Sequence, residues 1–209
     1  MKEQGMIRAF LAVELTDALR NGLTQVQQDL RRRVSHGLSK RIRISWVQPA
    51  SIHLTIKFLG EMDESLIEPL RTALTQIMEG GHSIRIPLER LGVFPRFQQP
   101  RVVWVGPSDR WEEGDDAVRL ALLHRSVEDR CHAAGFARES RPLSPHLTLA
   151  RIKEGEREVG KLLAQSGALD HPLTIGSLDM TSIVLMRSEL RPTGPVYTPL
   201  WEVKTGDGG

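Results

Sequence analysis

The chain has 209 residues, 28 Lys+Arg against 26 Asp+Glu, 40% apolar residues, 5% aromatic residues and a single cysteine. One thiol, Cys131, cannot close an internal disulfide, so a small secreted disulfide scaffold is excluded and a cytoplasmic location is expected. A net charge of +2 is nearly balanced, and a chain of this length makes one domain or two small lobes sharing a core.

In chain order, Ile7 to Val13 reads as a strand; its unbroken apolar run Ala9–Val13 is too short for a signal-peptide core, and no stretch approaches a membrane span. A helical pattern runs from Thr16, a plausible N-cap, to about Val34. Between Arg31 and Arg43 lie six basic side chains (Arg31, Arg32, Arg33, Lys40, Arg41, Arg43) and His36 without an acid. That patch suits either a phosphate partner or a solvated helix end and loop. Trp46-Val47-Gln48-Pro49 leads into the strand-like Ile52 to Gly60, a charged helical stretch at Asp63–Glu79 and a β-rich run at Ser83–Leu91. Gly92-Val93-Phe94-Pro95 reads as a turn.

The order then repeats. Arg101–Val105 is strand-like, Asp115 to Ala134 is helical and closed by Gly135, and Arg141 to Leu149 carries the next strand. A charged helix at Glu156–Gln165 and a β-rich run at Leu173–Met186 follow. Phe10 precedes His53 by 43 residues and Trp104 precedes His146 by 42. A strand–helix–strand–helix–strand unit of roughly 90 residues is therefore duplicated. The expected fold is α+β: one bilobal domain over residues 1–205, with repeat units of about 6–91 and 100–203. Two antiparallel sheets line a central cleft with helices outside, and a disordered tail follows at 206–209.

His53-Leu54-Thr55-Ile56 and His146-Leu147-Thr148-Leu149 occupy matching places in the repeat. On a strand, His53 and Thr55 share one face while Leu54 and Ile56 point to the core, and the second motif divides in the same way. One neutral imidazole can take a proton from a nucleophile while a second, protonated one supplies a proton to a leaving oxygen. Threonine hydroxyls between them are donors suited to the non-bridging oxygens of a phosphate. A metal would need a third ligand beyond the two histidines, and neither motif carries a carboxylate on its polar face, so no metal or other cofactor is expected.

The chain resembles the two-histidine (2H) phosphoesterase superfamily, and within it the LigT-like RNA 2′,3′-cyclic phosphodiesterases, historically named 2′-5′ RNA ligases. The resemblance rests on Arg8–Leu15, Trp46-Val47 with His53–Gly60, Leu91–Pro95, Pro100–Gly106, Arg141-Pro142 with Pro145–Arg151, and Gly194–Tyr197. Two features depart from it, the more basic Arg31–Arg43 segment and a short acidic insertion at Arg110–Asp116. The resemblance implies opening of an RNA 2′,3′-cyclic phosphate to a 2′-phosphate, with His146 as proton acceptor, His53 as proton donor, and Thr55 and Thr148 on the phosphate. Attack by an RNA 5′-hydroxyl in place of water would give a 2′-5′ linkage without ATP. The expected partner is RNA or a nucleotide with a 2′,3′-cyclic phosphate, with no membrane and no obligate protein partner. Alternatives are another 2H cyclic phosphodiesterase activity and a non-catalytic RNA- or nucleotide-binding module.

Arg141 and Arg151 flank the second motif as candidate substrate contacts, although regular alternation puts Arg151 on the face opposite His146. Trp46 and Phe58 are candidates to stack on a base. Gly155 to Leu162 has the spacing of a nucleotide-binding P-loop, but Leu162 replaces the needed hydroxyl and two glutamates would face the phosphates. His124, Cys131 and His132 diverge around one helix and form no compact ligand set.

Overall fold

The computed structural model describes residues 5–35, 41–192 and 194–206. Strand β1 (Met6–Val13) is apolar and largely buried, as befits a central strand. Helix α1 (Asp17–Ser35) buries Leu19, Leu23, Gln27, Leu30 and Val34 at helical spacing. Thr16 Oγ1 accepts from Leu19 N at 3.4 Å, at the expected cap. Strand β2 (Arg43–Trp46) and a 3-10 turn at Pro49–Ser51 lead into β3 (Leu54–Asp63), followed by a 3-10 turn at Glu64–Leu66, α2 (Ile67–Met78) and β4 (Ile84–Pro87). The first half closes with β5 (Arg90–Phe94), and the second opens with β6 (Val102–Gly106), the single turn α3 (Asp109–Glu112), α4 (Asp115–Ala133) and β7 (Leu147–Glu154). The second half ends with α5 (Glu156–Ser166), β8 (Ser177–Met180), β9 (Ser182–Arg191) and β10 (Gly194–Lys204).

The large sheet runs β10-β9-β1-β3-β7-β6-β5, with β2 also on β7, and its paired strands are antiparallel. β3 and β7 share one pair, Leu54 with Leu147. The sheet is therefore two four-stranded halves, β10-β9-β1-β3 and β2-β7-β6-β5, which meet at that pair. A separate ribbon, β4 with β8, takes one strand from each half of the chain.

The two lobes interleave. Over the first half-sheet lie α2, whose Ile67 carbonyl accepts from Trp201 Nε1 of β10 at 2.9 Å, and α4, whose Glu128 meets Lys57 of β3. Over the second lie α1 and α5, where Leu30 and Val34 face Val103, Ala150 and Ile152 beside Val159 and Leu163. Each half of the chain thus lends a helix to the half-sheet that carries the other half's histidine motif.

Gly92-Val93-Phe94, expected as a turn, belongs to β5. Gly92 sits opposite Trp104, and a Cβ there would lie 2.1 Å from the indole Cζ2. The glycine marks a ring crossing the strand rather than a chain reversal. The acidic insertion forms α3 and the start of α4; Arg90 holds Asp109 at 2.5 Å and Glu112 at 3.5 Å. In the basic segment, Arg32 and Arg33 pair with Asp29, Arg43 pairs with Glu154, and Arg31 lies 4.8 Å over the Trp46 ring. His36 and Lys40 of that segment lie outside the described residues. Of the expected tail, Gly206 donates its N–H to the Met78 carbonyl, and 207–209 lie outside the described residues. Among the described residues no helix is long and apolar enough to cross a membrane.

Candidate active site

Both histidines stand one residue before a strand, at the point where the half-sheets meet. Burial follows the expected alternation: Leu54, Ile56, Leu147 and Leu149 are buried, while His53, Thr55, His146 and Thr148 are half-buried. All four polar residues open into one cleft of about 690 Å³.

The two imidazoles are held alike. His53 Nδ1 lies 2.9 Å from the Ser51 carbonyl, and His146 Nδ1 lies 2.8 Å from the Ser144 carbonyl. A carbonyl only accepts, so Nδ1 carries the proton in each case and Nε2 is left as the working nitrogen. Around His53, Phe10 stacks at 4.7 Å and Tyr197 meets the ring edge-on at 5.1 Å. Around His146, Phe94 stands edge-on at 5.0 Å and Trp104 lies at 6.3 Å. Phe10 and Trp104 are the pair marked by the repeat spacing. Tyr197 and Phe94 come from strands that are not equivalent in sequence order, and only the fold brings them in.

The lead-ins also match. Pro49-Ala50-Ser51-Ile52-His53-Leu54-Thr55 and Pro142-Leu143-Ser144-Pro145-His146-Leu147-Thr148 share a serine two residues before the histidine, a signal legible in the sequence that points to the orienting carbonyls. Arg20 of α1 fixes the first lead-in from outside, donating to the Ala50 carbonyl at 3.0 Å and the Pro49 carbonyl at 3.4 Å.

Burial pushes His53 down from its ordinary 6.5 to about 4; its bond to Ser51 opposes this, and Arg151, Arg20 and His146 add to it. Burial also lowers His146, with Ser144 opposing and Arg151 adding. Both rings are therefore neutral in the free protein at neutral pH.

Arg151 lines the cleft, contrary to regular alternation. β6 pairs Val103 with Ala150 and Trp104 with Thr148, so Leu149 is an extra residue, and this bulge returns Arg151 to the histidine face. The same happens in β3: β1 pairs Leu11 with Lys57 and Ala12 with Thr55, skipping Ile56, and Phe58 turns into the cleft. Phe58 is 61% exposed, available for stacking rather than core. Trp46 also lines the cleft. Arg141 is exposed and stands outside the cleft lining. Among the lining residues that escaped the sequence reading as site residues are Arg8, Lys153 and Tyr197. Among the described residues the lining holds the cations Arg8, Arg151 and Lys153 and no carboxylate, so it attracts an anion.

Among the described residues there is no group of three or more His, Cys, Asp or Glu placed to hold a metal ion. Cys131 is buried and pushed up to about 11 by burial, an unreactive thiol. His132 Nδ1 faces the Phe136 carbonyl at 3.3 Å. The P-loop-like segment forms α5 behind Gly155 at φ +83.

The family model for LigT like phosphoesterases matches residues 13–104 and 114–197. An RNA 2′,3′-cyclic phosphodiesterase of Methanothermobacter thermautotrophicus is 32% identical over 93% of this chain and 96% of its own. One from Aeropyrum pernix is 37% identical over 78% of this chain and 87% of its own. Among solved structures, Escherichia coli LigT complexed with 3′-AMP superposes with a TM-score of 0.68 at 23% identity, covering 96% of this chain and 99% of that one.

Proposed function

Because the chain belongs to the LigT-like phosphoesterases, we propose that it hydrolyses 2′,3′-cyclic phosphate ends of RNA, leaving a 2′-phosphate. One observation carries the reading: two imidazoles with Nδ1 committed to carbonyls offer two Nε2 atoms to one carboxylate-free cleft. The activity of the relatives at 32% and 37% identity supports the substrate class.

In this mechanism the cyclic phosphate lies between the motifs, its non-bridging oxygens accepting hydrogen bonds from Thr55 and Thr148 and facing the Arg151 guanidinium. His146 Nε2 takes a proton from water as the water oxygen bonds to phosphorus. The P–O3′ bond breaks on the opposite side, and His53 Nε2 protonates the departing O3′. Water is consumed, one P–O bond forms and one breaks, and the proton gained by His146 balances the one lost by His53. The free enzyme holds both rings neutral, so the acid form of His53 is stabilised by the bound anion. Phe58 and Trp46 offer faces to the terminal bases.

The test is product analysis on an RNA ending in a 2′,3′-cyclic phosphate, with purified protein and neither ATP nor metal added. The expected product is the 2′-phosphate. Release of 3′-phosphate would reverse the geometry, and binding without turnover would make the cleft a recognition module. A 2′-5′-joined product with a 5′-hydroxyl RNA would show that a hydroxyl replaces water at the same base.

A further inference from the structure

The buried face of α1 reads Leu19, Leu23, Gln27, Leu30, Val34. Glutamine is out of place in that series, and at 3% exposure it needs partners. Its Nε2 donates to the Val47 carbonyl at 2.8 Å and to the Leu149 carbonyl at 2.9 Å, the latter 122 residues away. Both partners are carbonyls, so the amide can face them only with its NH₂ group.

Leu149 is the bulged residue of β7. A bulge locally disrupts the ladder of its strand, and its backbone groups need other partners. The Leu149 carbonyl receives Val47 N at 2.9 Å together with the Gln27 amide. The bulge is also what turns Arg151 onto the histidine face.

We propose that Gln27 is a positioning residue of the cleft: its amide holds the Leu149 bulge and so aims the Arg151 guanidinium at the phosphate between the histidines. The inference rests on the reading of the cleft as a phosphodiester site. The other half of the molecule solves the same problem with different chemistry. There the skipped residue is Ile56, its carbonyl is met by His124 of α4, and the side chain turned into the cleft is Phe58. A helix borrowed from the opposite half supplies a polar side chain to each bulge, Gln27 buried and His124 half-buried, so the bulges are built features of the fold.

A double-mutant cycle tests this, because a group that acts through Arg151 has nothing left to do once Arg151 is gone. With a 2′,3′-cyclic mononucleotide, Arg151→Met is expected to lower kcat/KM by about 10–100-fold and Gln27→Met by about tenfold, with the double variant no lower than Arg151→Met alone. Losses that multiply in the double variant overturn the proposal, as does wild-type kcat/KM in Gln27→Met. Leu30→Ala, one turn along the same face, controls for lost packing: it lowers thermal stability and leaves kcat/KM of the folded enzyme unchanged. If Gln27→Met does not accumulate folded, Gln27→Glu takes its place at equal volume, and its loss deepens as the pH rises and the carboxylate ionises against two carbonyls. Measured as affinity for adenosine 2′-monophosphate, the cycle stands apart from turnover. A wild-type protein that binds this nucleotide without hydrolysing the cyclic one sinks the proposed function and leaves the Gln27–Arg151 coupling to be read from binding.

Discussion

With Nδ1 of each histidine tied to a carbonyl, the proposed mechanism puts the acid and base roles on two Nε2 atoms in nearly matched surroundings. His53→Ala and His146→Ala are each expected to lower kcat on a 2′,3′-cyclic nucleotide by about 10²–10⁴-fold without loss of the folded CD spectrum. A substrate with a p-nitrophenolate leaving group separates the roles, since it departs without a proton. His53→Ala should regain most of its activity on such a substrate and His146→Ala should not; the opposite pattern exchanges acid and base. The pH profile follows from burial. The productive free enzyme has one ring protonated and one neutral, and both rings titrate below 6.5, His53 at about 4. Above the upper value both rings are neutral and no acid remains; below the lower value both are protonated and no base remains. The optimum of kcat/KM is therefore expected between the two, on the acid side of 6.5, with the alkaline limb of kcat moved upward by the bound anion. A profile of kcat/KM that is flat from pH 5 to 9 would refute this. The four polar residues were legible in the sequence because strand alternation and duplication are local patterns. The orienting carbonyls needed no side-chain signature, and the matched serines hinted at them all the same.

At the scale of strands and helices, the decisive departures from regular geometry are the two bulges, and neither has a composition signature. Alternation read from Thr148 puts Arg151 on the wrong face, and one extra residue puts it right. Gln27 shows why such features escape a sequence reading: its partner is 122 residues distant and on a strand from the other half of the chain. At the first bulge, Lys57 enters the interior, where Nζ reaches Glu128 Oε1 at 2.7 Å and the Ala137 carbonyl at 2.8 Å, while Glu128 Oε2 accepts from Glu139 N at 3.1 Å. This pair joins β3 to the segment that leads toward His146. Lys57→Met leaves a buried carboxylate unpaired and is expected to cost about 3–5 kcal/mol in urea unfolding, most of it recovered in Lys57→Met with Glu128→Leu. A single variant as stable as wild type would show that the carboxylate finds water. Gly92→Ala is expected to cost about 1–3 kcal/mol, since its methyl overlaps the Trp104 indole; the melting temperature reports it.

Taken whole, the molecule is a duplication that cannot be cut at the boundary its sequence suggests. A helix of each half covers the half-sheet that carries the other half's histidine motif, and β9 and β10 return from late in the chain to the sheet of β1. Fragments 1–98 and 99–209 are each expected to stay unfolded alone, by far-UV CD, and to regain structure on mixing; an independently folded fragment would show that a half can do without the borrowed helix. The repeat announced the pair of motifs, while this exchange of helices depends on long-range packing that periodicity does not encode. The meeting of the half-sheets at Leu54 and Leu147 has one more consequence. Two near-equivalent motifs facing each other offer a substrate two opposite ways to lie, and histidines and threonines are blind to the difference. The asymmetry sits five residues on, where one strand presents Phe58 and the other Arg151. An aromatic face at one end and a cation at the other make a one-way socket from a two-way frame, and in the proposed mechanism it is these two side chains, rather than the histidines, that set which imidazole receives the water.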